Sequence, residues 1–204
     1  MIAIIDYGMG NLQSVQKGFE KVGCPAIVTS DPKQLVSARG IVLPGVGAFE
    51  DAIKNLKESG FVEIIKQSIN EGKPFLGICL GMQLLFRESE ENGLHFGLDV
   101  FPGRVVKFNL PKSLKVPHMG WNQIQKKGSC PILKNVPSGA YFYFVHSYYV
   151  LPEDDETIGA VTDYGIMFSS VVMKDQVFGI QFHPEKSSDA GLVILKNFGE
   201  MVYQ

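Results

Sequence analysis

Cysteine is scarce in this chain, with three in 204 residues, at Cys24, Cys79 and Cys130. An odd, scattered set builds no disulfide framework and lacks the paired spacing of a zinc site, so a reducing, cytoplasmic setting is expected and no metal is. Neither sign of charge is in surplus: 19 Lys plus Arg stand against 21 Asp plus Glu, a formal net charge of −2. The basic excess that a phosphate backbone demands is missing, which argues against nucleic acid as a partner. Long apolar runs are absent at the amino terminus, where Ile2-Ala3-Ile4-Ile5 meets Asp6 with no basic leader before it. That stretch reads as a first core strand, not as a signal peptide or a membrane span. Internal repeats, low-complexity tracts and linkers are lacking too, and Glu153-Asp154-Asp155-Glu156 reads as an exposed loop. Apolar residues, in contrast, are plentiful at 45%, enough for one well-buried domain over residues 1–204.

The first half alternates short apolar runs with helical patterns. Ile2 to Asp6 precedes Leu12 to Val22; Ala26 to Thr29 follows; Gly40 to Leu43 precedes Ala48 to Lys57 and Phe61 to Asn70. This is the rhythm of βαβ units around a parallel sheet, whose strands are buried on both faces and read as continuous Val, Ile and Leu. From about Leu98 short β-like stretches take over: Arg104 to Phe108, Gly120 to Ile124, Tyr141 to Val145, Ile158 to Thr162, Met167 to Met173 and Val177 to Phe182. They predict antiparallel and mixed strands added to the sheet. Leu192, Val193, Leu195, Phe198 and Val202 then recur at roughly helical spacing, predicting a closing helix over Ala190 to Val202. The expected fold class is α/β: an open mixed, mainly parallel sheet with helices on both faces and added antiparallel strands.

Gly77-Ile78-Cys79-Leu80-Gly81 has the form Gly-x-nucleophile-x-Gly, between the apolar run Phe75 to Ile78 and a helical pattern, Met82 to Arg87. A sharp strand-to-helix turn strains its central residue and brings backbones close, so glycine on both flanks meets a steric need. The helix start then faces the sulfur, and its free N–H groups favour thiolate, the attacking species, over thiol. Cys24 and Cys130 lack this context and read as small buried hydrophobes. His183-Pro184-Glu185 follows an apolar run, and in extended backbone positions two apart share a side, which would set Glu185 against His183. A carboxylate on one ring nitrogen fixes the tautomer and leaves the other nitrogen to take and return a proton. Pro44-Gly45-Val46-Gly47 reads as a loop that exposes backbone amides, which with the amide of Leu80 could meet an oxyanion. Gly8-Met9-Gly10 is only half of a dinucleotide fingerprint, because position 13 is Gln13, so no nicotinamide site and no cofactor are expected.

With these residues assembled, the chain resembles the class I (triad) glutamine amidotransferases. The resemblance spans most of the chain and lies closest to their imidazole glycerol phosphate synthase branch. It is carried by Asp6-Tyr7-Gly8-Met9-Gly10-Asn11-Leu12, Leu43-Pro44-Gly45-Val46-Gly47-Ala48-Phe49, Pro117-His118-Met119-Gly120-Trp121-Asn122 and His183-Pro184-Glu185-Lys186-Ser187. It implies that Cys79 attacks the side-chain amide of glutamine, His183 shuttles the proton, Glu185 orients His183, and water hydrolyses the glutamyl thioester. It also implies that Gln83 and backbone groups at Gly47, Ser147 and Tyr148 hold the amino-acid moiety, while Gly45, Val46 and Leu80 frame the oxyanion site.

The resemblance further implies a partner, because free ammonia in neutral water becomes mostly ammonium. That partner would be a (βα)₈-barrel synthase subunit making imidazole glycerol phosphate in histidine synthesis, with Met119, Trp121, Tyr143 and Lys186 as contact residues. It implies a switch as well, in which the peptide at Gly45-Val46 reorients when the partner binds its ligand, leaving the isolated chain a poor glutaminase. Three rival readings are open to test: the glutaminase of pyridoxal phosphate synthase, whose Gly-Gly-Glu-Ser motif is replaced here by Pro44-Gly45-Val46-Gly47; a non-catalytic α/β binding module; and a cysteine hydrolase acting on other amides.

Overall fold

In a computed structural model describing residues 1–204, the amino-terminal half runs β1 (Ile2–Ile5), α1 (Leu12–Lys21), β2 (Ala26–Thr29), α2 (Pro32–Ser37), β3 (Gly40–Gly45), α3 (Phe49–Glu58), α4 (Phe61–Asn70), β4 (Phe75–Cys79) and α5 (Leu80–Leu84). The rest adds β5 (Phe86–Ser89), β6 (His95–Phe96), β7 (Phe101–Lys107), β8 (His118–Gln123), β9 (Gln125–Lys126), β10 (Tyr141–His146), β11 (Tyr148–Pro152), β12 (Ile158–Asp163), β13 (Met167–Lys174), β14 (Val177–Ile180) and α6 (Ser188–Tyr203). The main sheet has the order β2-β1-β3-β4-β14-β13-β11-β7-β5-β6, with β12 flanking β13 and β9 flanking β12. Its β2-to-β14 portion is parallel, and β13, β11 and β7 continue it antiparallel, as the sequence pattern predicts.

Each parallel strand feeds two cores. Ile2 and Ile4 pack on one face of the sheet while Ala3 and Ile5 pack on the other, and Leu76 and Ile78 oppose Phe75 in the same way. The period of two between side chains makes a strand buried on both sides read as an unbroken apolar run. On the first face α1 and α6 pack together, with Phe19 and Phe198 rings 6.1 Å apart. Truncating a buried phenylalanine of this kind costs about 3–5 kcal/mol. The other face is covered by α3 and α4, through Phe49, Leu56, Phe61 and Ile65. No helix is long and apolar enough to cross a membrane.

The structure corrects four local expectations. The helix after Cys79 covers Leu80–Leu84 and stops, because Phe86 leaves it to pair with Phe101 and the two rings stack at 5.5 Å. Pro44 and Gly45 are strand, paired with Ile78 and Cys79, so the exposed loop begins only at Val46. β8 and β10 do not join the main sheet; they form a separate antiparallel pair with Trp121 opposite Tyr143 and Met119 opposite Val145. The last strand ends at Ile180, and Pro184–Lys186 is a single 3₁₀ turn rather than extended chain. Helix α2 went unread, although Asp31 caps it through its carboxylate and Pro32 opens it.

Candidate active site

The register of the parallel strands delivers the chemistry to one end of the sheet. Gly45 pairs with Cys79 at the carboxyl ends of β3 and β4, and Ile180 pairs with Ile78 beside them, so the chain leaving β14 carries His183 to the same edge. Cys79 has φ 55° and ψ −111°, a left-handed backbone that a residue with a side chain adopts only when its surroundings enforce it. They do so by close backbone approach. A Cβ at Gly81 would lie 1.8 Å from the Leu43 carbonyl oxygen, and one at Gly77 would lie 2.7 Å from that of Gly81. Gly45 is similarly crowded, since a Cβ there would sit 2.5 Å from the Tyr7 hydroxyl.

His183 and Glu185 are both buried, and the 3₁₀ turn brings Glu185 Oε1 to 2.9 Å from His183 Nδ1. A carboxylate oxygen only accepts, so Nδ1 carries the proton. Burial opposes charge on this imidazole, but its contacts with Cys79 and Glu185 outweigh that and push its pKa up to about 10. Cys79 is thus near enough to favour imidazolium, while Nε2 itself makes no well-formed hydrogen bond and stays available for proton transfer. A five-residue helix sums few peptide dipoles, so the charged group that bears most directly on the sulfur is the neighbouring His183 imidazolium. Around the sulfur, Gln181 Nε2 donates to Sγ at 3.7 Å, and Sγ lies 4.0 Å from the Val145 carbonyl oxygen.

A cleft of about 430 Å³ opens over these atoms. Of the residues expected in the site, it is lined by Cys79, His183, Val46, Gly47, Leu80, Gln83, Ser147 and Tyr148. Gly45 lies behind it within the sheet, and Glu185 lies behind His183. Both N–H groups of the Gln83 amide are spent, on the Tyr148 carbonyl at 3.0 Å and on Gln181 Oε1 at 3.1 Å, which leaves its oxygen free on the wall. Glu91 was not anticipated from sequence. One of its oxygens accepts from the Phe49 amide at 2.9 Å at the start of α3, and the residue lines the cleft, where a carboxylate suits an ammonium group. Its single signal was an acid beyond the elbow, with no spacing rule to select it. Gln181 and Ser187 were missed for the same reason.

Met119 and Trp121 are more than half exposed, on the outer face of the β8–β10 pair. The Tyr143 ring meets Trp121 edge-on at 6.3 Å, and Lys186 Nζ lies 5.8 Å from the Tyr143 ring centre. This outer strand is bonded directly to the segment carrying His183. The His183 amide donates to the Tyr143 carbonyl at 2.9 Å, and Ser187 Oγ accepts from the Tyr143 amide at 3.0 Å while donating to the His183 carbonyl at 2.6 Å.

Comparison with known proteins assigns the chain to a family. A family model described as glutamine amidotransferase class-I matches residues 3–201. The chain is 58% identical to the imidazole glycerol phosphate synthase subunit HisH of Geobacter sulfurreducens, with 98% of each chain covered. Against the same-named subunit of Caldanaerobacter subterraneus it is 55% identical, covering 99% of this chain and 98% of that one. Among solved structures, a glutamine amidotransferase aligns over 100% of both chains with TM-score 0.74 at 18% identity. The glutaminase domain of CTPS from Trypanosoma brucei aligns over 98% of this chain and 93% of that one, with TM-score 0.68 at 18% identity. The chain belongs to the class-I glutamine amidotransferase family.

Proposed function

We propose that the whole chain, residues 1–204, is one glutaminase domain: the subunit of a cytoplasmic imidazole glycerol phosphate synthase that releases ammonia from glutamine through a thioester on Cys79. The observation that carries the chemistry is the elbow cysteine sharing a cleft with an imidazole backed by a buried carboxylate. The acceptor reaction is carried by the full-length relatives, which are synthase subunits by name at 51% to 58% identity.

In this reading the Cys79 thiolate attacks the δ-amide carbon of glutamine, and the carbonyl oxygen becomes an oxyanion facing the amides at Val46 and Leu80. Each such donor is worth about 2.7–4 kcal/mol to the transition state. Imidazolium at His183 protonates the leaving nitrogen from Nε2, the C–N bond breaks, and ammonia departs. The neutral imidazole then takes a proton from water, whose oxygen attacks the thioester; the C–S bond breaks, thiolate and imidazolium are restored with that proton kept on His183, and glutamate leaves, its new carboxyl proton passing to solvent. Glu185 holds Nδ1–H throughout. The free Gln83 oxygen and the Glu91 carboxylate hold the ammonium end of the substrate, with backbone at Gly47, Ser147 and Tyr148 around its carboxylate.

The partner in this reading is a (βα)₈-barrel synthase subunit seated on Met119, Trp121, Tyr143 and Lys186. Large exposed aromatic and methionine side chains are favoured anchors of such contacts. Glutamine bearing ¹⁵N in its amide should deliver that nitrogen to the nucleotide product only when the barrel subunit is present. Cys79→Ala should lower glutamate release at least about 10⁴-fold. Persistent release would assign the chemistry to another nucleophile, and release of ¹⁵N to solvent alone, with the liganded barrel bound, would remove the synthase reading. Trp121→Ala should weaken the complex by about 2 kcal/mol, checked by titration calorimetry.

A further inference from the structure

Beyond the catalytic residues, the molecule buries two more histidines that the reaction does not use. His118 and His146 face each other across the β8–β10 pair, with His118 Nδ1 2.9 Å from His146 Nε2. They sit among aromatic rings: Tyr164 stacks on His118 at 4.0 Å, Phe144 lies 4.9 Å from His118, and Phe168 lies 5.2 Å from His146. A polar pair in such a place is costly unless every nitrogen is satisfied.

One backbone atom fixes the direction of every bond. The Tyr148 carbonyl can only accept, and it does so twice, from His146 Nδ1 at 2.8 Å and from Gln83 Nε2 at 3.0 Å. His146 therefore holds its proton on Nδ1, which makes Nε2 an acceptor and requires His118 to donate from Nδ1. His118 Nε2 must then accept, and Asn122 Nδ2 stands 3.2 Å away while also donating to the Asp163 carbonyl at 2.9 Å. In the other direction Gln83 donates to Gln181 Oε1, which orients the Gln181 amide so that its nitrogen faces Cys79 Sγ. Burial depresses both imidazoles, His118 to about 4 and His146 to about 3, in keeping with the neutral tautomers this pattern requires.

We infer that His118 and His146 are positioning residues for the nucleophile, part of a hydrogen-bond network in which donors run from Asn122 on the outer strand pair to the Tyr148 carbonyl, where they meet Gln83, whose second N–H leads through Gln181 to the Cys79 sulfur. Protonating His118 sets its Nε2–H against the Asn122 amide, protonating His146 sets its Nε2–H against His118 Nδ1–H, and removing His118 frees His146 from the tautomer that must donate to the Tyr148 carbonyl. With that donor displaced or no longer fixed, the carbonyl it shares with Gln83 shifts and the Gln83–Gln181 pair loses its fixed orientation toward Sγ. The kinetic part of the test rests on the glutaminase reading; the alkylation part does not.

The experiment follows iodoacetamide alkylation of Cys79 by peptide mapping, with buried Cys24 and Cys130 as internal references, beside kcat and KM for glutamine. His118→Phe keeps the ring stack but no nitrogen, and should slow alkylation and lower kcat about tenfold while KM rises less than threefold. His118→Gln can donate to His146 and accept from Asn122, and should restore most of both. Asn122→Leu, remote from the sulfur, should slow alkylation about twofold to threefold. Should His118→Phe fail to fold, His118→Gln and Asn122→Leu decide the matter. The inference is overturned if folded His118→Phe alkylates at the wild-type rate, if His118→Gln is as impaired as His118→Phe, or if Asn122→Leu leaves Cys79 unchanged. If wild type bound to the liganded barrel subunit lacks glutamine turnover while alkylation still follows the variants, the positioning network stands and the glutaminase reading fails.

Discussion

Cys79 and His183 reach the same cleft from regions built on different physics. The cysteine ends a parallel strand whose neighbours are main chain, with the Leu43 carbonyl and the Gly81 backbone packed so closely that no Cβ fits between them. The histidine sits three residues past the end of its strand in a 3₁₀ turn, held by Glu185, by Ser187 and by the backbone of Tyr143. Sterics fix the first and hydrogen bonds hold the second. A backbone enforced by crowding tolerates little adjustment, whereas one held by exchangeable hydrogen bonds can respond to what binds nearby, and the second region is bonded through Tyr143 to the strand whose outer face is exposed.

The comparison can be broken most severely at the base. Glu185→Gln keeps the shape of the turn but removes the charge that steadies imidazolium, so glutamine kcat should fall about 10²–10⁴-fold with a native circular dichroism spectrum. A loss of under tenfold would mean that the turn alone orients His183. At the elbow the damage should instead be structural. Gly81→Ala must displace the Leu43 carbonyl and should cost about 3 kcal/mol or more in denaturant unfolding; a variant of wild-type stability would show the elbow to be soft.

The smallest effect separates the histidines by sign. His183 has its folded pKa raised to about 10, so its contribution to stability is complete below about pH 6.5, the value expected unfolded, and drains away as pH rises toward 10. His118 and His146 are depressed to about 4 and 3, so theirs is complete above about pH 6.5 and drains away as pH falls through those values. Unfolding between pH 4 and 6 should accordingly take up as many as about two protons from this pair, and His118→Gln should remove one of them. An unfolding free energy with the same acid slope in wild type and His118→Gln would contradict the neutral pair.

The parallel half of the fold was legible because strands buried on both faces leave long apolar runs, and the elbow was legible because crowding demands glycine at fixed offsets from Cys79. His183 and Glu185 were found as neighbours for the wrong geometric reason, since a 3₁₀ turn places them together where extended chain was expected. The helix after Cys79 was overextended because Leu84, Leu85 and Phe86 suit a helix locally, while tertiary pairing of β5 with β7 takes Phe86. The His118–His146 pair left no trace in the sequence. Their 28-residue separation follows no period, and only the register of β8 against β10 makes them partners.

From the Asp163 carbonyl to Gln181, no link in the chain that ends at Cys79 carries a net charge. Dissolved ions screen the field of an exposed charge over a Debye length of about 8 Å at physiological ionic strength, and Lys186, beside the Tyr143 ring, is such a charge. They have little purchase on neutral dipoles that are buried from His118 through His146 and Gln83 to Gln181. Added salt will therefore damp the charge that Lys186 presents long before it disturbs the dipoles around the Cys79 sulfur.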